Sequence, residues 1–478
     1  MAYSGAMSFR ALLVIVLALG AACVRAESLP APVAQSLARA GVPASAAALW
    51  VQDVDAARPA LAVNATQPMN PASLMKLVTT FVALEVLGPS YTWRTEAHLA
   101  GTLADGALDG DLVLKGYGDP KLTMEGFWFF LQGLRARGLR EIRGDLVLDR
   151  GWFEAGAIDP ARFDGEPLRA YNVPPDALLV NFKAVRFLFA PDGAGRAVRV
   201  VAEPALANVE LSATVRGVEG GCGDWRSGIK LDVRPLPGRT LVEFVGAMSA
   251  ACGERYWNLA LLDHREYVAA IFRAMWESLG GTLRGGVRDG LAPAGSRAFA
   301  VAESPTLAEV VRDVNKFSNN VMARQLFLTL SAETMKLPGR ADRSARAVQS
   351  HLASRGIEVP ELVMENGSGL SRQERISAAG LGRVLIAAWR SPVMPELVAS
   401  LPVVGTDGTM RRRLRDASAA GQGHIKTGSL AGVASIAGYV LDRAGKRVAV
   451  VFIVNHPNAN ATAAAQDAVL RWVHDGRP

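Results

Sequence analysis

A serine followed three residues later by a lysine, Ser73-Leu-Met-Lys76, puts a nucleophile and a base on one face of a helix. A serine hydroxyl attacks a carbonyl only once a neighbour takes its proton. Lys76 can take it only when neutral, which requires burial or a second nearby cation. Two later strings supply the rest of such a centre. In Ser318-Asn-Asn320 the Ser318 hydroxyl can relay a proton to a leaving amine, and the Asn320 amide can bond substrate backbone and Lys76. In Lys426-Thr-Gly428 the lysine can be the second cation or hold a carboxylate. On a strand Lys426 and Gly428 share one side and Thr427 takes the other, joining the site through strand-edge twist. Gly428 would permit close substrate approach, and the Ser429 and Ser73 N–H groups would form an oxyanion hole. A substrate peptide can also pair along such a strand. Each string alone is explained by capping, turn or edge-strand chemistry. In the order SxxK, SxN, KTG they match the signature of enzymes that attack peptide or lactam carbonyls with an activated serine.

Elements able to position these residues are readable around each string. Asn70 can cap a helix with Pro71 in its first turn, and Leu74, Leu77, Val78, Phe81, Val82 and Leu84 recur at helical spacing until Gly88-Pro89. Ser73 then sits where unpaired backbone N–H groups favour developing negative charge. Thr306–Lys316, with Ser304 as N-cap, and Asn320–Leu330 read as helices, leaving Ser318 in the turn between them. Glu266–Leu279 and an Ala-rich segment, Thr462–Val473, give two more. Strands are expected at Ala47–Val54, Pro59–Val63, Gly423–Thr427, Val433–Leu441 and Arg447–Val454, with a hairpin at Asp442–Lys446. From about 91 to 257 the texture changes to short β-like runs punctuated by Gly and Pro, which predicts a β-rich insertion of two subdomains.

A chain of 478 residues requires two or three domains, and its apolar half and charged fifth suit a globular protein with sizeable cores. Arg10, the apolar run 11–22 and Val24-Arg-Ala26 supply a basic region, an apolar region and a small-residue cleavage site. Residues 1–26 therefore read as an export signal that is removed; an uncleaved anchor and lipidation of Cys23 are the alternatives. The formal charge of +7 is mild for this length, the Arg411–Arg415 cluster reads as solvated surface, and no nucleic-acid binding is expected. In an oxidising compartment Cys222 and Cys252 are expected to pair. The six histidines show no metal-ligand spacing, so neither metal nor cofactor is expected. His424 reads as a strand residue lining or packing behind the site. Asn366-Gly-Ser-Gly369 reads as a Gly-rich turn, not a nucleophile elbow.

Three more strings, Lys115-Gly-Tyr-Gly-Asp-Pro120, Asn366-Gly-Ser-Gly-Leu-Ser-Arg372 and Leu401-Pro-Val-Val-Gly-Thr-Asp-Gly-Thr409, extend a resemblance over essentially the whole mature chain. It resembles the class C low-molecular-mass penicillin-binding proteins, the D-alanyl-D-alanine carboxypeptidase/endopeptidases of the cell envelope. The resemblance implies an α/β (α+β) fold: a penicillin-recognising serine-transferase-like domain, an antiparallel sheet flanked by helices, interrupted by β-rich inserted domains. The catalytic domain would comprise residues 27–90 and 258–478, and the insertion residues 91–257. It further implies Ser73 as nucleophile, Lys76 as general base, Ser318 as proton relay with Asn320, and Lys426, Thr427, Gly428, Ser429 and Arg372 as substrate-binding residues. Its substrate would be a periplasmic peptidoglycan peptide, and β-lactams would trap the acyl-enzyme. Two positions depart from the pattern: Asn366 stands where Asp is common, and Lys115-Gly-Tyr where small residues are usual. A β-lactamase, which needs a Glu-activated water for fast deacylation, and a non-catalytic envelope scaffold are the competing readings. Membrane association, oligomeric state, the purpose of the insertion and the balance of the two peptidase activities stay open.

Overall fold

The computed structural model describes residue 1 and residues 28–476; apart from residue 1, the expected export signal lies outside the described residues. The central sheet has five strands in the order Gly423–Leu430, Val433–Leu441, Arg447–Asn455, Ala47–Asp53 and Leu61–Val63, every neighbour antiparallel. Its middle strands are apolar almost without interruption because helices cover both faces. On one face lie the serine helix Met75–Leu87 and helices Leu307–Lys316, Asn320–Met335 and Ala378–Trp389, around a core that includes Phe81, Phe327 and Tyr439. On the other, helices Ala31–Arg39 and Ala463–Asp475 pack on Val450, Phe452 and Ile436. The hairpin expected at 442–446 is present, with Asp442 Oδ1 accepting from the Ala444 and Lys446 N–H groups.

Between the serine helix and the second catalytic segment stand two more sheets around one apolar core. One is built on the hairpin Arg94–Ala104 and Ala107–Gly116; the other has six strands between Val185 and Leu259. Cys222 and Cys252 form a disulfide inside the second sheet's region. The insertion does not end at residue 257. Strands Thr282–Leu283, Val287–Asp289 and Ala300–Glu303 pair with Glu141–Ile142, Leu146–Asp149 and Arg94–Ala104. Helix His264–Ser278 buries Tyr267, Ile271, Phe272 and Trp276 in the inserted core, so the chain returns to the catalytic domain only after Glu303. These strands are two to four residues long, too short to carry an alternation that marks them. Helix Met124–Ala136, capped by Thr123, lies unexpected within the β-textured stretch.

Two expected helix starts shift. Ser304 accepts from the Trp93 N–H instead of capping, and Glu309 takes the Thr306 N–H at 2.9 Å to begin that helix at Leu307. The serine helix opens with a 3-10 turn, Ala72–Leu74, before its α-helical part begins at Met75. Among the described residues no helix is long and apolar enough to cross a membrane.

Candidate active site

The serine turn is bent by its neighbours. Asn70 Oδ1 accepts the Ala72 N–H at 2.9 Å, and Ala72 takes φ +50°, a left-handed conformation that costs a non-glycine residue. Packing enforces the bend. A Cβ on Gly369 would stand 1.9 Å from Ala72 O, and one on Gly428 would stand 2.8 Å from Pro71 O and 2.3 Å from Ser435 Oγ. The missing side chain at 428, expected to admit substrate, is thus required by the serine turn itself. Ser73 is left half-buried at the surface of this knot.

Lys76 is fully buried. Its Nζ donates to Asn320 Oδ1 at 2.6 Å and Ser368 O at 2.5 Å, and lies 3.0 Å from Ser73 Oγ. Burial holds its pKa well below the usual lysine value, and the Lys426 charge pushes the same way. A neutral amine has two N–H donors and one lone pair. The two carbonyl oxygens occupy both donors, so the lone pair is directed at the Ser73 hydroxyl. Lys426, also fully buried, donates to Ser318 Oγ at 2.9 Å and Thr427 O at 2.7 Å, and burial lowers it to about 7. Ser318 stands at φ +56° between its two helices, where Asn319 caps the second by accepting from the Met322 N–H. The three sequence strings therefore meet as two lysine–serine pairs, with Asn320, two residues after Ser318, bonded to Lys76 of the other pair.

The turn Asn366–Gly369 belongs to this assembly, although its composition alone reads as a plain loop. Asn366 Oδ1 accepts from both Ser368 N and Oγ, and Thr79 Oγ1 donates to Gly367 O at 2.7 Å. Glu374, buried completely, accepts from the N–H groups of Glu365, Asn366 and Gly367. No spacing in the sequence marks it.

The family model for the D-Ala-D-Ala carboxypeptidase 3 (S13) family matches residues 29–475. The chain belongs to that family. A D-alanyl-D-alanine carboxypeptidase of Actinomadura sp. (strain R39) is 31% identical over 415 residues, covering 84% of this chain and 76% of the relative. The D-alanyl-D-alanine carboxypeptidase DacB of Haemophilus influenzae is 26% identical over 395 residues, covering 82% and 81%. The crystal structure of penicillin binding protein 4 (dacB) from Haemophilus influenzae superposes with a TM-score of 0.76 at 23% identity, covering 93% of this chain and 99% of that one, which establishes the shared fold.

In this member of the S13 family, the remaining expected residues divide between the edge of the Gly423–Leu430 strand and positions outside the lysine–serine pairs. The Ile425 N–H bonds Pro402 O on the side away from the neighbouring strand. Strand alternation then turns the Thr427 and Ser429 N–H groups to the same open edge, as an oxyanion donor at Ser429 requires. Thr427 Oγ1 donates to Thr409 Oγ1 at 2.8 Å, tying the strand to the 401–409 loop. That loop is fastened in turn by Lys316 Nζ to Asp407 at 2.6 Å. His424 is half-buried with Nδ1 3.1 Å from Val398 O, away from both lysines' hydrogen-bond partners. Arg372 lies outside the lysine–serine pairs: it donates to Ala431 O at 2.7 Å and rests over the Phe163 ring. With Asp159, Arg324, Asn366 and Leu370 they border a cavity of about 520 Å³. The Lys115–Pro120 string serves packing instead: Gly116 abuts Ala177 O, Gly118 abuts the Phe153 ring, and Tyr117 donates to Glu96.

Proposed function

We propose that the chain is a serine-type D-alanyl-D-alanine carboxypeptidase and endopeptidase that works through an acyl-enzyme on Ser73. The observation that carries this reading is the coordination of Lys76, whose Nζ contacts Asn320 Oδ1, Ser368 O and Ser73 Oγ, so that the neutral amine, donating to the two carbonyl oxygens, turns its lone pair to Ser73. Lys76 takes the hydroxyl proton as Oγ bonds the carbonyl carbon of the penultimate D-Ala. The tetrahedral oxyanion forms between the Ser73 and Ser429 N–H groups. As the C–N bond breaks, the proton that Lys76 took is relayed through the Ser318 hydroxyl to the departing amine, which returns Lys76 to its neutral form, and Lys426 holds the terminal carboxylate by charge. Water then attacks the ester, with Lys76 again as base, and regenerates the serine. The open edge of the Gly423–Leu430 strand at Thr427–Ser429, beyond the part paired with residues 402–404, supports binding of the stem peptide as an added strand, and the cavity beside Arg372 and Phe163 gives room for its side chains. A cut between D-Ala and the next peptide of a crosslink uses the same groups, with a larger leaving amine. A β-lactam would acylate Ser73 in the same way. The leader and the disulfide support a periplasmic location.

Mass spectrometry after penicillin treatment tests the reading. A covalent adduct on the native chain that is absent from Ser73→Ala is expected; no adduct on either overturns it. Rapid turnover of a chromogenic β-lactam would instead identify a lactamase.

A further inference from the structure

Glu374 is a buried carboxylate that no step above uses. One oxygen, Oε1, accepts the N–H groups of three consecutive residues, Glu365, Asn366 and Gly367, at 3.2, 3.0 and 3.1 Å. Successive N–H groups converging on one point form an anion-binding concavity. The other oxygen, Oε2, is buried with no hydrogen-bond partner among the described residues, an arrangement that costs stability. The next residue of the same turn, Ser368, presents the carbonyl that occupies one donor of Lys76. Gly367 at φ +69° packs on the Phe327 ring, and Gly369 at φ +82° packs on Ala72 O. The turn is therefore clamped between the helix that carries Asn320 and the knot that carries Ser73, with the carboxylate at its centre.

We propose that Glu374 is a positioning residue: it holds the turn that presents the Ser368 carbonyl to Lys76. The charged groups around the pair come from three elements. Lys76 is faced by Lys426 from the strand and Arg324 from helix Asn320–Met335. Burial pushes the Glu374 carboxyl up, while the three loop N–H groups and the Lys76 charge pull it down, and Arg324 is flanked by Glu374 and by Glu365 of the same loop. Replacing the carboxyl by an amide keeps an acceptor oxygen for the three N–H groups and so keeps the turn. Removing the acceptor must free the Ser368 carbonyl, so that Lys76 no longer aims its lone pair at Ser73.

The inference rests on the acyl-enzyme reading and is tested through the same acylation. The rate of Ser73 acylation by a chromogenic β-lactam is measured against pH for the native chain, Glu374→Gln and Glu374→Ala, with thermal melting as the check on folding. Glu374→Gln, which keeps an acceptor oxygen, is expected to hold the plateau rate within about threefold of native. Glu374→Ala is expected to lower the plateau by about tenfold or more. A folded Glu374→Gln as slow as Glu374→Ala, or a native rate in Glu374→Ala, overturns the inference. If either variant fails to fold, Glu374→Asp replaces it: the shortened side chain lowers the rate, and a native rate overturns the inference. Absence of any adduct on the native chain is a failure of the acyl-enzyme reading itself, whereas an adduct formed at the native rate in Glu374→Ala is a failure of the Glu374 role alone.

Discussion

Lys426 shows at the residue scale how chemistry and stability oppose each other. Folding takes its ammonium from water and lowers its pKa to about 7, against roughly 10.4 in an unfolded chain. The folded state therefore binds fewer protons than the unfolded state between those values, and stability rises with pH across that window. The penalty is fully present below about 7 and relieved as pH approaches the unfolded value. Lys426→Met is expected to melt higher than the native chain at pH 6, by roughly 1–3 kcal/mol after its lost bonds to Ser318 and Thr427 O are counted. That advantage should shrink towards pH 10, and acylation should fall about a hundredfold; thermal melts at several pH values check the first, and adduct formation the second. Ser73, Lys76, Ser318, Asn320 and Lys426 were all legible in the sequence because their chemistry needs fixed residue types at fixed short spacings. Glu374 and Ser368 were not, since one acts through converging backbone amides and the other through its carbonyl, and neither leaves a side-chain pattern.

Among elements, the Gly423–Leu430 strand and the serine turn act as one part. Ser435 Oγ donates to Pro71 O at 2.8 Å directly beneath Gly428, so sheet and turn are in contact where a side chain would otherwise stand. Gly428→Ala must push Pro71 and Ala72 away and carry Ser73 with them. The expected result is a loss of about 1–3 kcal/mol from overpacking and an acylation rate at least about tenfold lower, read by denaturant unfolding and by adduct formation. The central strands announced themselves in sequence, because Val433–Leu441 and Arg447–Asn455 are apolar apart from Ser435, Arg447 and Asn455 and are separated by Asp442 and Gly445. The strands between Thr282 and Glu303 did not. Each is held by pairing with a partner more than a hundred residues earlier, and nothing local specifies that pairing.

For the whole molecule, separate cores mean separate stabilities. Cys222–Cys252 closes a loop inside the inserted core, and the catalytic lysines and serines belong to other packing units. Replacing both cysteines by serine should lower the melting temperature of the insertion, by about 2–4 kcal/mol in stability, and leave acylation within about twofold of native. Calorimetry and penicillin labelling on the same preparation check both halves. The crossing between the units has a further consequence. Trp93 N–H bonds Ser304 Oγ and Ser304 N–H bonds Trp93 O, each at 3.0 Å, so outgoing and returning chain pass through one doorway. To the catalytic domain the whole excursion is a hairpin tip. Because closing a loop costs only logarithmically more as it lengthens, such a doorway tolerates the acquisition, exchange or loss of a whole domain without altering the sheet behind it. The clasp of Arg324 and Gln325 on the backbone at Asn172–Asp176, one turn beyond Asn320, is one of the places where a transplanted domain would have to be refitted.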